Sequence, residues 1–179
     1  FPLALEVRHS SWDRPDFHEF LKEHKVCFCN IDQPIFQHSL KPSAIVTNPR
    51  FSYVRLHGRN YKDWFREEAG RDDRYNYLYT TDELADWVGR IKKLAEGSDR
   101  VFIITNNHYR GQALANALQI KNMLTGEKLQ IPATMLEKYP VLKEIAKKLE
   151  KGQIDLFEEQ AGAKKEAGEK QGGQKEDQD

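Results

Sequence analysis

Four short apolar stretches recur along the first two thirds of the chain, and each ends in polar residues. From Leu3 to Arg8 the pattern alternates. Leu3, Leu5 and Val7 share one face of an extended chain, and Ala4, Glu6 and Arg8 share the other. Val26 to Asp32 predicts a second strand, with Asn30 and Asp32 of one parity at its carboxyl end. Phe51 to His57 predicts a third, with Tyr53, Arg55 and His57 opposite Val54 and Leu56. The fourth begins at Val101, runs through Phe102, Ile103 and Ile104, and stops at Asn106, Asn107 and His108.

Helical spacing fills several of the gaps. Asp13 reads as the cap of a short helix with Pro15 in its first turn and Phe17, Phe20 and Leu21 as its buried stripe. Thr80 and Glu83 form a capping box ahead of Leu84, Trp87, Val88, Ile91 and Leu94, and Gly97 ends that helix. Gly111 and Gln112 open an Ala-rich helix that runs to Leu124 and stops at Gly126, with Ala113, Ala117 and Leu118 facing the sheet. Pro140 starts a last helix carrying Val141, Leu142, Ile145 and Leu149, and Gly152 ends it. Residues 33–50 and 60–79 show no period.

Strands alternating with helices or long crossovers predict parallel βα units. The expected fold class is α/β: a partial (β/α)8 TIM-like barrel of four parallel units, with a C-terminal helix and a disordered tail. An open four-stranded sheet is the alternative. Residues 1–150 would form the half-barrel domain and residues 151–179 a linear motif and tail. From residue 158 onward only Glu, Gln, Lys, Gly, Ala and Asp occur, which cannot bury a core. The first and fourth strands would be open edges able to pair with another chain.

Composition modifies this picture in a few places. A chain of 179 residues suits one domain of ordinary size. No apolar run approaches the roughly 20 residues that cross a bilayer, and Phe1 to Leu5 is too short and uncharged for a signal peptide. A cytoplasmic location without a membrane partner is expected. A chain that starts at Phe1 rather than Met reads as a fragment. Cys27 and Cys29, two apart on a strand, read as core thiols facing the helix layer. The net charge of zero conceals a tail of −3 from Glu158 on, four lysines against seven acidic residues, and hence +3 before it. That excess is too small to establish nucleic-acid binding, but it allows a local basic site.

Polar strand ends are where the chemistry is expected. Glu6 and Arg8, Asn30 and Asp32, Arg55 and His57, and Asn106 or Asn107 all fall at carboxyl ends, where α/β barrels hold ligands. Arg8, Arg55 and Arg59 favour an anion, because a guanidinium grips carboxylate or phosphate through two parallel hydrogen bonds. The amide groups from Tyr109 to Gln112 would add an anion contact at a helix start. His57 is the first candidate general acid or base and Glu6 the second. Asp32, Tyr75, Tyr77, Asn106 and Asn107 complete the expected substrate contacts. No metal or other cofactor is expected, since the arginines would repel a cation held by Glu6, Asp32 and His57. A layer of ion pairs that merely holds the barrel together is the structural alternative. Trp64, Tyr61, Tyr75, Tyr77 and Tyr79, interleaved with Lys62, Arg66, Arg71 and Arg74, form either a stacking surface or a lid.

The motifs Glu6-x-Arg8-x-x-Ser11-Trp12, Asp32-x-Pro34, Tyr53-x-Arg55-x-His57-Gly58-Arg59, Tyr75-x-Tyr77-x-Tyr79 with Glu83-Leu84, and Asn106-Asn107 with Gly111 and Asn116-Ala117 occur in this order. They resemble the family known as domain of unknown function 72. The resemblance implies a (β/α)8 barrel similar to the endonuclease-IV-like and sugar-isomerase barrels, with no established activity. It also implies that earlier strands of the family are missing and that the chain is the family's carboxyl half. The three-metal cluster of the endonuclease-like barrels is not recognisable. A second resemblance lies in Gln153-Ile154-Asp155-Leu156-Phe157, which is similar to the bacterial sliding-clamp-binding pentapeptide. In that reading Leu156 and Phe157 fill an apolar pocket of the clamp and Gln153 bonds at its rim. Two functions are therefore expected in competition. One is an enzyme acting on a phosphate-bearing or other anionic substrate. The other is a non-catalytic DNA- or repair-associated protein that docks on the sliding clamp.

Overall fold

The computed structural model describes residues 1–68 and 70–148. Four parallel strands, β1 (Ala4–Leu5), β2 (Cys27–Asp32), β3 (Ser52–Leu56) and β4 (Val101–Thr105), form one sheet in the order β1-β2-β3-β4. Helix α1 (Pro15–Glu23) joins β1 to β2. Helices α2 (Arg71–Arg74) and α3 (Thr81–Gly97) lie between β3 and β4, and α4 (Gln112–Thr125) follows β4. Parallel strands whose spatial order equals their chain order step one way around an axis. Right-handed crossovers then put every connection on the same face. That is the arrangement of a barrel wall; a doubly wound sheet reverses its order at a switch point. The fold is accordingly α/β, with β1 and β4 as its edge strands.

Register determines the two faces. Cys29 pairs with Tyr53, Asn30 with Val54, Ile31 with Arg55 and Asp32 with Leu56. Tyr53 pairs in turn with Phe102, and Arg55 with Ile104. Val54 and Leu56 pack beneath Leu84, Trp87, Val88, Ile91 and Leu94 of α3 and Ile120 of α4, and this face carries the larger core. Each of the fully buried large side chains contributes about 1.5–3 kcal/mol, so packing rather than intrinsic propensity holds α3 in place. A second cluster joins Phe17 and Leu21 of α1 to Phe28, Cys29, Ile31 and Leu40. The inner face is more open: Phe102 and Ile104 are 46% and 39% exposed.

Several local expectations are corrected. The first strand is two residues long rather than six, because the chain leaves the sheet after Leu5. Arg8 O accepts from Leu40 N at 2.7 Å and Ser10 N donates to His38 O at 2.9 Å, so residues 8–10 pair with the following loop instead. Arg14, not Asp13, caps α1, and Phe20 is exposed and stacks on His24, with ring centroids 4.2 Å apart. Cys27 and Cys29 are buried free thiols on one parity. They lie on the inner parity with Tyr53 and Arg55, not toward the helices. Burial pushes the Cys27 thiol up to about 11 and the Cys29 thiol up to about 12, so both are protonated and unreactive at neutral pH. The capping box at Thr80 and Glu83 is present as expected. In α4 the buried residues are Ala115, Asn116, Gln119 and Ile120, a rotation away from the expected Ala113, Ala117 and Leu118. Asn116 turns inward because its side chain bonds both Tyr79 N (3.1 Å) and Tyr79 O (3.2 Å).

Two compact units divide the chain, Phe1–Glu127 and Lys128 onward. Within the second unit the expected helix at Pro140 is a 3-10 turn, Pro140–Glu144, preceded by a short helix α5 (Ala133–Lys138). Leu129 N donates to Ile145 O and Lys147 N to Leu129 O, and this pairing draws the chain out of a helix after Ile145. Six residues after Pro132 are too few to display a helical period. Among the described residues no helix is long and apolar enough to cross a membrane.

Candidate functional site

Because Ala4 pairs with Cys27, Glu6 two residues on shares the inner parity with Arg55. The two side chains meet: Arg55 Nη1 donates to Glu6 Oε2 at 2.6 Å. Arg8 Nε donates to Glu6 Oε1 at 2.9 Å from the other side. His57 Nε2 lies 3.2 Å from the same Oε1. Arg8 Nη2 is also 3.4 Å from His57 Nε2, but a guanidinium can only donate. The shorter contact, to a carboxylate oxygen, assigns the Nε2 hydrogen to Glu6. His57 is fully buried and its Nδ1 has no hydrogen-bond partner.

Burial alone would raise the Glu6 carboxyl. The His57 hydrogen bond and charge, then Arg8 and Arg55, outweigh it and bring Glu6 down to about 2. A carboxylate held that low is a poor proton carrier at neutral pH, and its two oxygens tie His57, Arg8 and Arg55 together. A group whose folded-state pKa is depressed stabilises the fold fully above its ordinary value of 4.5, and that stabilisation is lost as pH falls toward about 2. Glu6→Gln is therefore expected to flatten the acid limb of stability over this window, read from denaturation midpoints measured at a series of pH values. A variant that retained the wild-type acid limb would show that Glu6 is not held this way.

Beside this cluster opens a cavity of about 550 Å³. Arg8 and His9 line it from the loop after β1, Gln33 and Phe36 from the loop after β2, and Trp64 and Tyr75 from the loop after β3. All three loops leave the carboxyl ends of strands. Trp64 and Tyr75 stand 6.5 and 6.4 Å from the His57 ring, between centroids, and form the wall closest to it. The Arg8 guanidinium lies 5.9 Å over Trp64. Gln33 Nε2 donates to Arg8 O at 3.0 Å and so holds the backbone of the arginine that faces the cavity.

The other expected site residues go elsewhere. Asp32 shares its parity with Leu56, which points to the helix layer. There Asp32 is fully buried and accepts Arg59 Nε (2.9 Å), Arg59 Nη2 (2.9 Å) and the Tyr79 hydroxyl (2.6 Å). Arg59 Nη1 continues to Glu83 at 3.0 Å, and Glu83 also accepts the Tyr77 hydroxyl at 2.7 Å. Burial raises the Tyr77 and Tyr79 hydroxyls, and the neighbouring carboxylates raise them further, so both remain donors. Arg59 has its charge reinforced by Asp32 and Glu83 despite the opposing effect of burial. Asp32, Arg59 and Tyr77 thus form an internal brace rather than pocket contacts. Asn107 is also internal: its Nδ2 donates to Tyr77 O at 2.8 Å and Asn116 Oδ1 at 2.7 Å. Asn106, following Thr105 in register with Leu56, falls on the inner parity and is half-buried. The chain from Tyr109 to Gly111 is a kinked 3-10 turn with Arg110 and Gly111 at positive φ, and α4 begins only at Gln112. Gln153, Leu156 and Phe157 lie outside the described residues.

The structure therefore brings together Glu6, Arg8, Arg55, His57 and Tyr75, and adds His9, Gln33, Phe36, His38 and Arg74. Arg74, at the end of α2, belongs to the basic set interleaved with the aromatics, whereas His9, Gln33, Phe36 and His38 sit in loops without a period, and their only sequence signal was their position just after predicted strands. Among the described residues no group of three or more His, Cys, Asp or Glu is placed to hold a metal ion.

A family model described as protein of unknown function DUF72 matches residues 1–140. The UPF0759 protein YunF of Bacillus subtilis (strain 168) is 34% identical over an alignment of 135 residues, and the match covers 69% of this chain and 46% of YunF. A crystal structure of a DUF72 family protein from Thermotoga maritima MSB8 superposes with a TM-score of 0.64 at 40% identity, covering 69% of this chain and 46% of that one. Another, from Enterococcus faecalis V583, gives 0.63 at 34% identity and covers 73% and 48%. These neighbours are TIM-barrel-like, in agreement with the sequential parallel sheet. The chain spans about half the length of the relatives it matches. The family match occupies the amino-terminal part of this chain, and the expected placement as the family's carboxyl half is not borne out by it.

Proposed function

The chain belongs to the DUF72 family, whose function is uncharacterised, and from that premise we propose that it binds and acts on a phosphate-bearing or other anionic ligand in the cavity at the strand carboxyl ends. One observation carries this reading: Arg8 and Arg55 share the single carboxylate of Glu6. Two guanidinium charges against one carboxylate leave an excess of +1 before His57 is counted. Part of that excess faces the cavity, because Arg8 lines it and its side chain is 45% exposed. An unbalanced charge in a partly enclosed, low-dielectric cleft attracts an anion far more strongly than the same charge in water. In this reading His57 carries protons through Nδ1, Glu6 positions it, and Tyr75 and Trp64 cover it. A cytoplasmic location belongs to the same reading, supported by the two free buried thiols.

Titration calorimetry with inorganic phosphate and pyrophosphate tests the anion site. Arg8→Ala is expected to weaken binding at least about tenfold, the loss of one charge-assisted hydrogen bond, with the fold retained because Arg8 sits at a surface rim. Equal affinity of the variant and the wild type would end this reading. The proton-carrying role is separable from it: His57→Asn would abolish turnover of a phosphate ester while leaving phosphate affinity within a few-fold.

A further inference from the structure

We propose that the ligand is a phosphate joined to a planar heterocycle, with the phosphate toward Arg8 and Arg74 and the ring among Phe36, Trp64 and Phe65. This deepens the anion reading above and rests on it. A bare anion needs only the cations. Four of the cavity's lining residues are instead the aromatics Phe36, Trp64, Phe65 and Tyr75, and Arg8 and Arg74 line it with them. Phe65 is 70% exposed and belongs to neither core cluster. It touches Phe36 at 4.8 Å between centroids, and Phe36 touches Tyr61 at 5.5 Å, so the rings make a contiguous apolar platform beside the cationic rim. Exposed aromatics grouped in this way mark a binding surface, and every nucleobase offers a π-face that such rings can stack on.

The platform is also braced before any ligand arrives. Asn60 Nδ2 donates to Asp73 O at 2.8 Å and to Asp63 Oδ2 at 3.0 Å, and Arg66 pairs with Asp63 at 2.8 Å. These contacts tie Asn60, Asp63, Arg66 and Asp73 together around Trp64 and Phe65, which lowers the ordering cost of binding. The cavity of about 550 Å³ lies within the range of about 300–1,000 Å³ typical of small-molecule sites, ample for a nucleoside monophosphate. The same chemistry occurs in a free nucleotide and at the 5′-phosphorylated end of a single strand.

Calorimetry on the whole chain with four probes tests the assignment: inorganic phosphate, ribose 5-phosphate, AMP and a 5′-phosphorylated trinucleotide. AMP is expected to bind about tenfold or more tightly than ribose 5-phosphate, the size of one base-stacking contribution. Phe65→Ala, an exposed position that leaves the core intact and does not touch Arg8, is expected to cancel most of that difference while leaving phosphate affinity unchanged. If phosphate and ribose 5-phosphate bind and AMP binds no tighter, the ring inference is overturned and the anion site stands. If no probe binds, both fall. Tighter binding of the trinucleotide than of AMP would assign the pocket to a strand end, and equal or weaker binding to a free nucleotide; either supports the shared chemistry.

Discussion

Asp32→Asn is expected to destabilise the fold by about 3 kcal/mol, although the change replaces one oxygen by an amide of the same shape. Asp32 is fully buried and accepts the fork of Arg59 together with the Tyr79 hydroxyl. Breaking a buried ion pair by removing one charge costs about 3–5 kcal/mol, because the surviving charge is left without its counter-charge in a poor dielectric. The lower end applies here. The Arg59 side chain keeps 24% exposure and retains Glu83. The Asn amide would in addition point donors at donors. Urea unfolding midpoints measure the loss. Were Asp32 a ligand contact in the pocket, as its position at a strand end suggested, the variant would lose ligand affinity and keep its stability. An unchanged midpoint would return Asp32 to the list of binding residues.

The second large effect belongs to Gly58. The residue after His57 adopts φ +90°, a conformation that side chains of L-residues rarely take, and a Cβ placed there would lie 2.8 Å from Tyr77 Cβ. Gly58→Ala thus combines a strained backbone, worth about 1–3 kcal/mol, with an overlap of two Cβ atoms that no rotamer change can relieve, worth about 1–3 kcal/mol again. A loss of about 3 kcal/mol is expected. Gly58 N also donates to Tyr79 Oη at 2.8 Å, and that hydroxyl holds Asp32. A shifted Gly58 therefore disturbs the Asp32 brace as well as the start of the loop that carries Trp64. Comparison of Gly58→Ala, Asp32→Asn and the double variant would detect the link: coupled sites give a double loss smaller than the sum, whereas strict additivity would show that the two act independently.

The brace explains why the candidate site was only partly readable from the chain. Glu6, Arg8, Arg55 and His57 were recognised because ionisable groups at strand ends are costly unless they are paired or used. The same argument selected Asp32 and Arg59, and there the pairing is closed within the helix-facing core, away from the cavity. Charge and position are alike in the two sets. They differ in which side of the sheet the residue faces. Trp64 and Tyr75 stood out as aromatics in a charged loop. His9, Phe36 and His38 did not, because a loop residue gains its role from where its neighbours place it and carries no period.

What the sequence by itself determined is the alternation of strands and helices, the Thr80–Glu83 cap, the apolar stripe of α3, and the polar residues closing each strand. These depend on contacts within a few residues or on the periods of 2.0 and 3.6 that backbone geometry imposes. Only the tertiary structure decided which parity of each strand faces inward. A strand's own pattern says that Asn30 and Asp32 lie together and that Glu6 and Arg8 lie together, but not that the two pairs look opposite ways. Inter-strand register sets that, and register is a relation between segments 23 and 24 residues apart in the pairings of Ala4 with Cys27 and Asp32 with Leu56. The one-residue offset between Arg55 and Leu56 is the difference between a partner for Glu6 beside an open cavity and a neighbour for Asp32 in a closed core.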